Sequence, residues 1–73
     1  MKVEELRKRL QQAGVSEFLY NLEGIGRNDE RFCLQKCDGK WNVYFSERGI
    51  KTTNVFFDSE EMACQFLFEQ LLD

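Results

Sequence analysis

The stretch RFCLQKCDGKWNVYFS, Arg31 to Ser46, decides the fold. Two segments of alternating apolar and polar residues flank Asp38-Gly39. That dipeptide favours a two-residue type I′ turn, in which both central residues take positive φ. The turn sets the register. Cys37 faces Lys40, Lys36 faces Trp41, Gln35 faces Asn42, Leu34 faces Val43, Cys33 faces Tyr44 and Phe32 faces Phe45. One face of the hairpin then carries Phe32, Leu34, Trp41, Val43 and Phe45, and helices should cover it. The other carries Cys33, Gln35, Asn42 and Tyr44, a half-polar surface expected to stay open.

A third strand follows, from about Lys51 to Phe57. Placing Thr53, Val55 and Phe57 on the core face avoids burying Asn54. A three-residue loop at Arg48-Gly49-Ile50 would set Phe45 opposite Thr53, Val43 opposite Val55 and Trp41 opposite Phe57. Glu47 would then face Lys51 as a favourable charge pair. Upstream, Phe18, Tyr20 and Leu22 alternate with Leu19 and Asn21, which reads as a short strand, and GIGRNDE reads as a loop. The glycines Gly24 and Gly26 do not have phosphate-loop spacing, and no helix pattern follows them.

Helices close both ends. From Val3 to Ala13, Val3, Leu6, Leu10 and Ala13 fall on one stripe while Glu4, Glu5, Arg7, Lys8, Arg9 and Gln12 fall off it. Acids precede bases, which suits the helix dipole, and Gly14 can take the left-handed conformation just past the end. From Ser59 to Leu72, Met62, Ala63, Phe66, Leu67, Gln70 and Leu71 recur at helical spacing. Asp58 and Glu61 look like a capping box, with Glu60 adding charge at the positive end. The expected fold is therefore α+β: an antiparallel meander of three or four strands with an N-terminal and a C-terminal helix packed on one face.

Length and composition set the limits. The chain has 73 residues, enough for a single domain spanning 1–73. A chain of this size buries only about 60% of the surface its unfolded form exposes, so a cofactor cavity is not expected. The net charge of −3 argues against a general binder of phosphate backbones. The charge is also uneven. Positions 54–73 hold five acids (Asp58, Glu60, Glu61, Glu69, Asp73) and no base, whereas 27–51 hold six bases and four acids. Of the three cysteines, Cys33 and Cys37 lie roughly 13 Å apart along one strand, too far for a disulfide. The odd count and the lack of a leader pattern lead us to expect a reducing cytoplasm. No apolar run is long enough to span a bilayer.

The residue inventory excludes most chemistry. There is no His and no C-x-x-C pair, so the usual zinc sets and the Ser-His and Cys-His nucleophile arrangements cannot be built. Glu60 and Glu61 are neighbours on one helix turn, where water would screen any acid–base pairing. We expect no enzyme and no cofactor. Helix, three antiparallel strands, helix is also the order of the double-stranded RNA-binding domain. That family sets lysines at the start of its second helix, where this chain has Asp58-Ser59-Glu60-Glu61. Stacking of single strands on the open face would rest on Tyr44 alone.

The hairpin tip carries a further signal. Trp41-x-Val43-Tyr44-x-Ser46-Glu47-Arg48-Gly49-x-Lys51, followed by FFDSEEMACQFLFEQLL, resembles small bacterial immunity proteins of polymorphic-toxin and contact-dependent growth inhibition systems. In that group a short helix, a Y-x-L-x-G strand and a W-x-V-Y-Y-S-E-R-G hairpin precede an acid-started helix. The equivalents here are Tyr20-Asn21-Leu22-Glu23-Gly24 and the segment just quoted, with Phe45 in place of a second Tyr. The resemblance covers most of the chain. It implies stoichiometric inhibition of a cognate toxin C-terminal domain, with a nuclease as the expected target, and no nucleic-acid or membrane partner. Two surfaces compete for the contact: the hairpin tip and open sheet face (Tyr44, Glu47, Arg48, Lys51) and the acidic helix (Glu60, Glu61, Glu69). The alternatives are a small adaptor that pairs by a sheet edge into a weak homodimer, or a weak RNA binder.

Overall fold

The computed structural model describes residues 1–22 and 30–72. The element order is α1 (Val3–Gln12), a 3₁₀ turn (Glu17–Leu19), β1 (Tyr20–Asn21), β2 (Arg31–Cys37), β3 (Lys40–Glu47), β4 (Ile50–Phe57) and α2 (Glu60–Leu72). The four strands form one sheet in the order β1-β2-β3-β4. The molecule is an α+β domain, α-β-β-β-β-α.

The hairpin forms in the register that its turn dictates, from Cys37 opposite Lys40 to Phe32 opposite Phe45. Asp38 and Gly39 sit at φ 51° and 80°, the two positive values of a type I′ turn. Phe32 and Phe45 meet on the helix side with ring centroids 5.0 Å apart.

The second hairpin differs from expectation near its tip. Its turn has two residues, Arg48 and Gly49, at φ 52° and 79°, so Glu47 faces Ile50, Ser46 faces Lys51 and Phe45 faces Thr52. The expected Glu47–Lys51 pair does not form across the strands. A β-bulge follows, with Thr53 at φ 49°, and beyond it Val43 faces Val55 and Trp41 faces Phe57. A tight turn plus one bulged residue consumes the same length of chain as a three-residue loop. The far half of the register therefore comes out as expected while the near half shifts by one.

The segment 18–22 also departs from expectation. Ser16 accepts a hydrogen bond from the Phe18 amide at 3.2 Å and caps a 3₁₀ turn, which leaves Phe18 75% exposed. Only Tyr20 and Asn21 join the sheet, and they pair parallel to β2, so the sheet is mixed. A parallel neighbour needs a connection longer than a hairpin turn. The Gly24–Gly26 loop lies outside the described residues.

α1 ends as its sequence suggests. Gly14 adopts φ 78°, its amide reaches the Gln11 carbonyl at 3.1 Å, and the Val15 amide reaches the Leu10 carbonyl at 2.9 Å. This pair of bonds is a Schellman cap, which requires the left-handed residue that glycine supplies. α2 starts differently from expectation. Ser59 is the cap, its hydroxyl accepting from the Met62 amide at 3.0 Å. Asp58 instead pairs with Lys40 at 2.8 Å, and the bond from that ammonium holds its carboxyl below the usual carboxylate range.

Both helices lie on the face bearing Leu34 and Val43. Leu6, Leu10, Leu34, Val43, Ala63, Cys64 and Leu67 form the buried centre, with Tyr20 and Leu22 at its margin. Tyr20 brings a defect into it. Its hydroxyl is buried without a hydrogen-bond partner, and burial, with Glu17 adding to it, raises its pKa. An orphaned buried hydroxyl costs about 1–3 kcal/mol. We therefore expect Tyr20→Phe to raise unfolding stability by about 1 kcal/mol, measured by urea denaturation. A loss of stability would mean that the hydroxyl has a partner in solution.

Candidate protein-binding surface

The sheet face away from the helices is not the open platform expected from alternation. Cys33, Asn42 and Tyr44 are 1%, 2% and 3% exposed. Their polar groups pair with one another and with the neighbouring strands. The Tyr44 hydroxyl is hydrogen-bonded to the Cys33 sulfur, and the Cys33 thiol donates to the Arg31 carbonyl at 3.7 Å. Burial, more than any neighbouring charge, raises the pKa of both Cys33 and Tyr44. The Asn42 amide donates to Asn54 Oδ1 at 2.8 Å and to the Val55 carbonyl at 2.9 Å. The one-residue shift at the tip brings Lys51 across from Ser46, and its ammonium lies 4.4 Å from the centre of the Tyr44 ring. Tyr44 is thus a packed residue under a lysine, a geometry worth roughly 0.5–2 kcal/mol. It offers no ring to a partner.

The tip itself is exposed. Glu47, Arg48, Lys51 and Ile50 all face water, Ile50 at 66%. Arg48 occupies a left-handed position that favours Asn, Asp or Gly.

On the acidic helix the three candidate carboxylates separate into two roles. Glu60 is structural. Its carboxylate accepts from the Val3 amide at 2.9 Å and lies 3.9 Å from the Lys2 ammonium, so residue 60 caps a helix that begins 57 positions earlier. Glu61 and Glu69 face solvent. They border an open depression of about 390 Å³ whose other lining residues are Met1, Phe57, Met62, Gln65 and Phe66. Met62, assigned to the core stripe by its spacing, is 59% exposed instead. The buried arc of α2 is Ala63, Cys64 and Leu67, rotated away from it. Phe66 contacts Phe57 at 5.4 Å on the flank nearest β4. Glu69 also accepts from Gln65 at 3.1 Å, a one-turn bond that fixes its orientation.

The seven candidate residues do not form one site. The tip adjoins Ile50 at the start of β4 and the α2 depression adjoins Phe57 at its end, at most about 23 Å apart at strand rise. The sequence reading named Glu61 and Glu69 as candidates and did not set Met62 and Phe57 beside them. The available signal was that α2 carries apolar residues around more than one face.

All three thiols are free, with Cys33 and Cys64 buried and Cys37 exposed. Burial, reinforced by Glu60, pushes the Cys64 thiol up to about 11. A thiol reacts through its thiolate. At pH 8 we expect one fast-reacting thiol per native chain with an aromatic disulfide reagent, and three in denaturant. Fast reaction of all three without denaturant would show that the core opens locally.

Among the described residues no group of His, Cys, Asp or Glu could hold a metal ion, and no helix is long and apolar enough to cross a membrane. No family model, no curated protein and no solved structure matches this chain.

Proposed function

We propose that this chain is a stoichiometric inhibitor of the immunity-protein type, binding a basic surface of a toxin domain through the solvent face of α2. One observation carries the reading: an apolar depression formed by Met62, Phe57 and Phe66 is bordered by Glu61 and Glu69, and no base lies between residues 54 and 72. Methionine adapts to irregular partner surfaces. Exposed carboxylates speed docking onto a basic active site and can occupy the positions of substrate phosphates. The W-x-V-Y-x-S-E-R-G resemblance supports the same role. The burial of Tyr44 weakens the RNA-binding alternative, since the ring needed for stacking is covered.

The test uses the double variant Glu61→Lys/Glu69→Lys in a growth-competition assay against the toxin domain encoded beside the gene. Protection should fall at least tenfold, while thermal unfolding stays close to that of the parent because both residues are exposed. Undiminished protection by this variant, together with its loss on Arg48→Glu, would move the contact to the hairpin tip.

A further inference from the structure

Among the described residues β4 is the terminal strand of the sheet and pairs only with β3. In an antiparallel pair, bonded and non-bonded positions alternate. The two-residue turn makes Glu47 and Ile50 a bonded pair. Counting back along β3 then puts Val43 and Trp41 in bonded pairs with Val55 and Phe57. Phe56, opposite Asn42, therefore turns its own amide and carbonyl outward, away from the sheet. The bulge at Thr53 ends the regular edge on the tip side, leaving residues 54–57 as the usable segment.

Apolar side chains lie on both sides of this edge. On the helix side are Phe57, Phe66 packed against it with the rings tilted, and Met62 one helical turn before Phe66 on the same flank. On the other side is Phe56, 54% exposed. The chemistry of the occupant follows from charge. A second copy would bring its own Glu61 and Glu69, and two-fold pairing about Phe56 would set two acidic helices side by side, like charge against like charge. The bulge opposes such pairing as well. A short partner segment that alternates apolar and basic residues avoids the like charge and stops short of the bulge.

We propose that residues 54–57 accept a short extended segment of the partner as an added strand, roughly 13 Å long. Its apolar side chains would rest on Phe56, on the face away from the helices, and its bases would lie on the helix side, with their stems along Met62 and Phe66 and their charged ends toward Glu61 and Glu69. This rests on the reading of α2 as the partner-binding surface and specifies how the partner docks.

The probe is the synthetic hexapeptide Lys-Val-Lys-Val-Lys-Val, capped at both ends, titrated into isotope-labelled protein and followed by NMR. Saturable binding should slow exchange of the Phe56 amide at least tenfold. Methylating alternate peptide nitrogens removes the backbone donors and keeps the charge, and should weaken binding at least tenfold. A Glu-Val hexapeptide should not bind. Equal binding by the methylated peptide overturns the added strand, as does equal binding by the Glu-Val peptide or failure of every peptide to bind. A protected Phe56 amide in the free protein, with elution at dimer size, would make a second copy the occupant and also overturn the proposal. None of these results decides the Glu61/Glu69 competition assay, so the α2 reading stands or falls separately.

Discussion

Asn42→Asp should cost about 3 kcal/mol of unfolding stability at neutral pH, the largest effect expected here for a change of so few atoms. Asn42 sits in the middle of β3, 2% exposed. Its Nδ2 donates to Asn54 Oδ1 at 2.8 Å and to the Val55 carbonyl at 2.9 Å. Aspartate has the same shape and no donor when ionised. The substitution therefore sets one new acceptor against two acceptors and buries a carboxylate where an amide donated. Lost bonds account for about 1 kcal/mol each, and desolvation of the new charge supplies the rest. The sign with pH follows from linkage. Burial beside carbonyl oxygens raises the folded pKa of the new acid above its unfolded value. The deficit is then greatest at neutral pH and shrinks as pH falls through that raised pKa, because a protonated carboxyl can donate to one of the two oxygens. Urea denaturation of the variant and its parent at pH 7 and pH 4.5 measures both points. A deficit under 1 kcal/mol that does not change with pH would show that the side chain swings out to water.

The same residue shows what the sequence could and could not specify. Asp38-Gly39 leaves one turn available, and that turn imposes the β2–β3 register, so Asn42 is opposite Gln35 in the sequence reading and in the structure. The binary pattern correctly assigns Asn42 to the face away from the helices. Pattern alone then expects that face to be wet. It is dry because Asn42 bonds across to β4, Tyr44 bonds to Cys33, and Lys51 lies over the Tyr44 ring. The last of these contacts goes with the shifted register at the tip, which the bulge at Thr53 absorbs. Nothing in IKTTNVFF marks Thr53 as left-handed, since a β-branched residue disfavours that conformation. The parallel pairing of β1 was hidden for a different reason: strand direction is set by the path of a long connection, not by local alternation. At the candidate surface, Glu61 and Glu69 were legible as unopposed charge. Met62 was not, because α2 has an apolar arc wide enough to rotate either way. Its facing is decided by which residues meet Leu6, Leu10 and Val43.

Glu60→Lys should lower stability by about 2–3 kcal/mol, even though residue 60 reads from the sequence as one more exposed acid on a helix start. Its carboxylate serves two helices at once. It stands in the first turn of α2, where the dipole favours negative charge, and it accepts from the Val3 amide at the start of α1 at 2.9 Å. α1 has no other side-chain cap: Lys2 occupies its cap position and makes no capping hydrogen bond. Losing an N-terminal cap costs about 1 kcal/mol, and reversing the charge at two helix N-termini adds about 0.3–1 kcal/mol for each. The new lysine would also stand beside Lys2, which now lies 3.9 Å from the carboxylate. In a domain of this size each kcal/mol moves the midpoint by roughly 4–8 °C, so the variant should melt on the order of 10–20 °C below its parent. Glu61→Lys, one residue along and exposed, is the matched control and should melt close to the parent. Scanning calorimetry on the three proteins separates the possibilities. Equal midpoints for all three would mean that Glu60 does not hold α1 in solution. A large drop confined to Glu60→Lys would show that the join between the two ends of the chain rests on this one carboxylate. Any loss of partner binding in that variant would then report unfolding of α1, which is why the competition assay relies on Glu61 and Glu69.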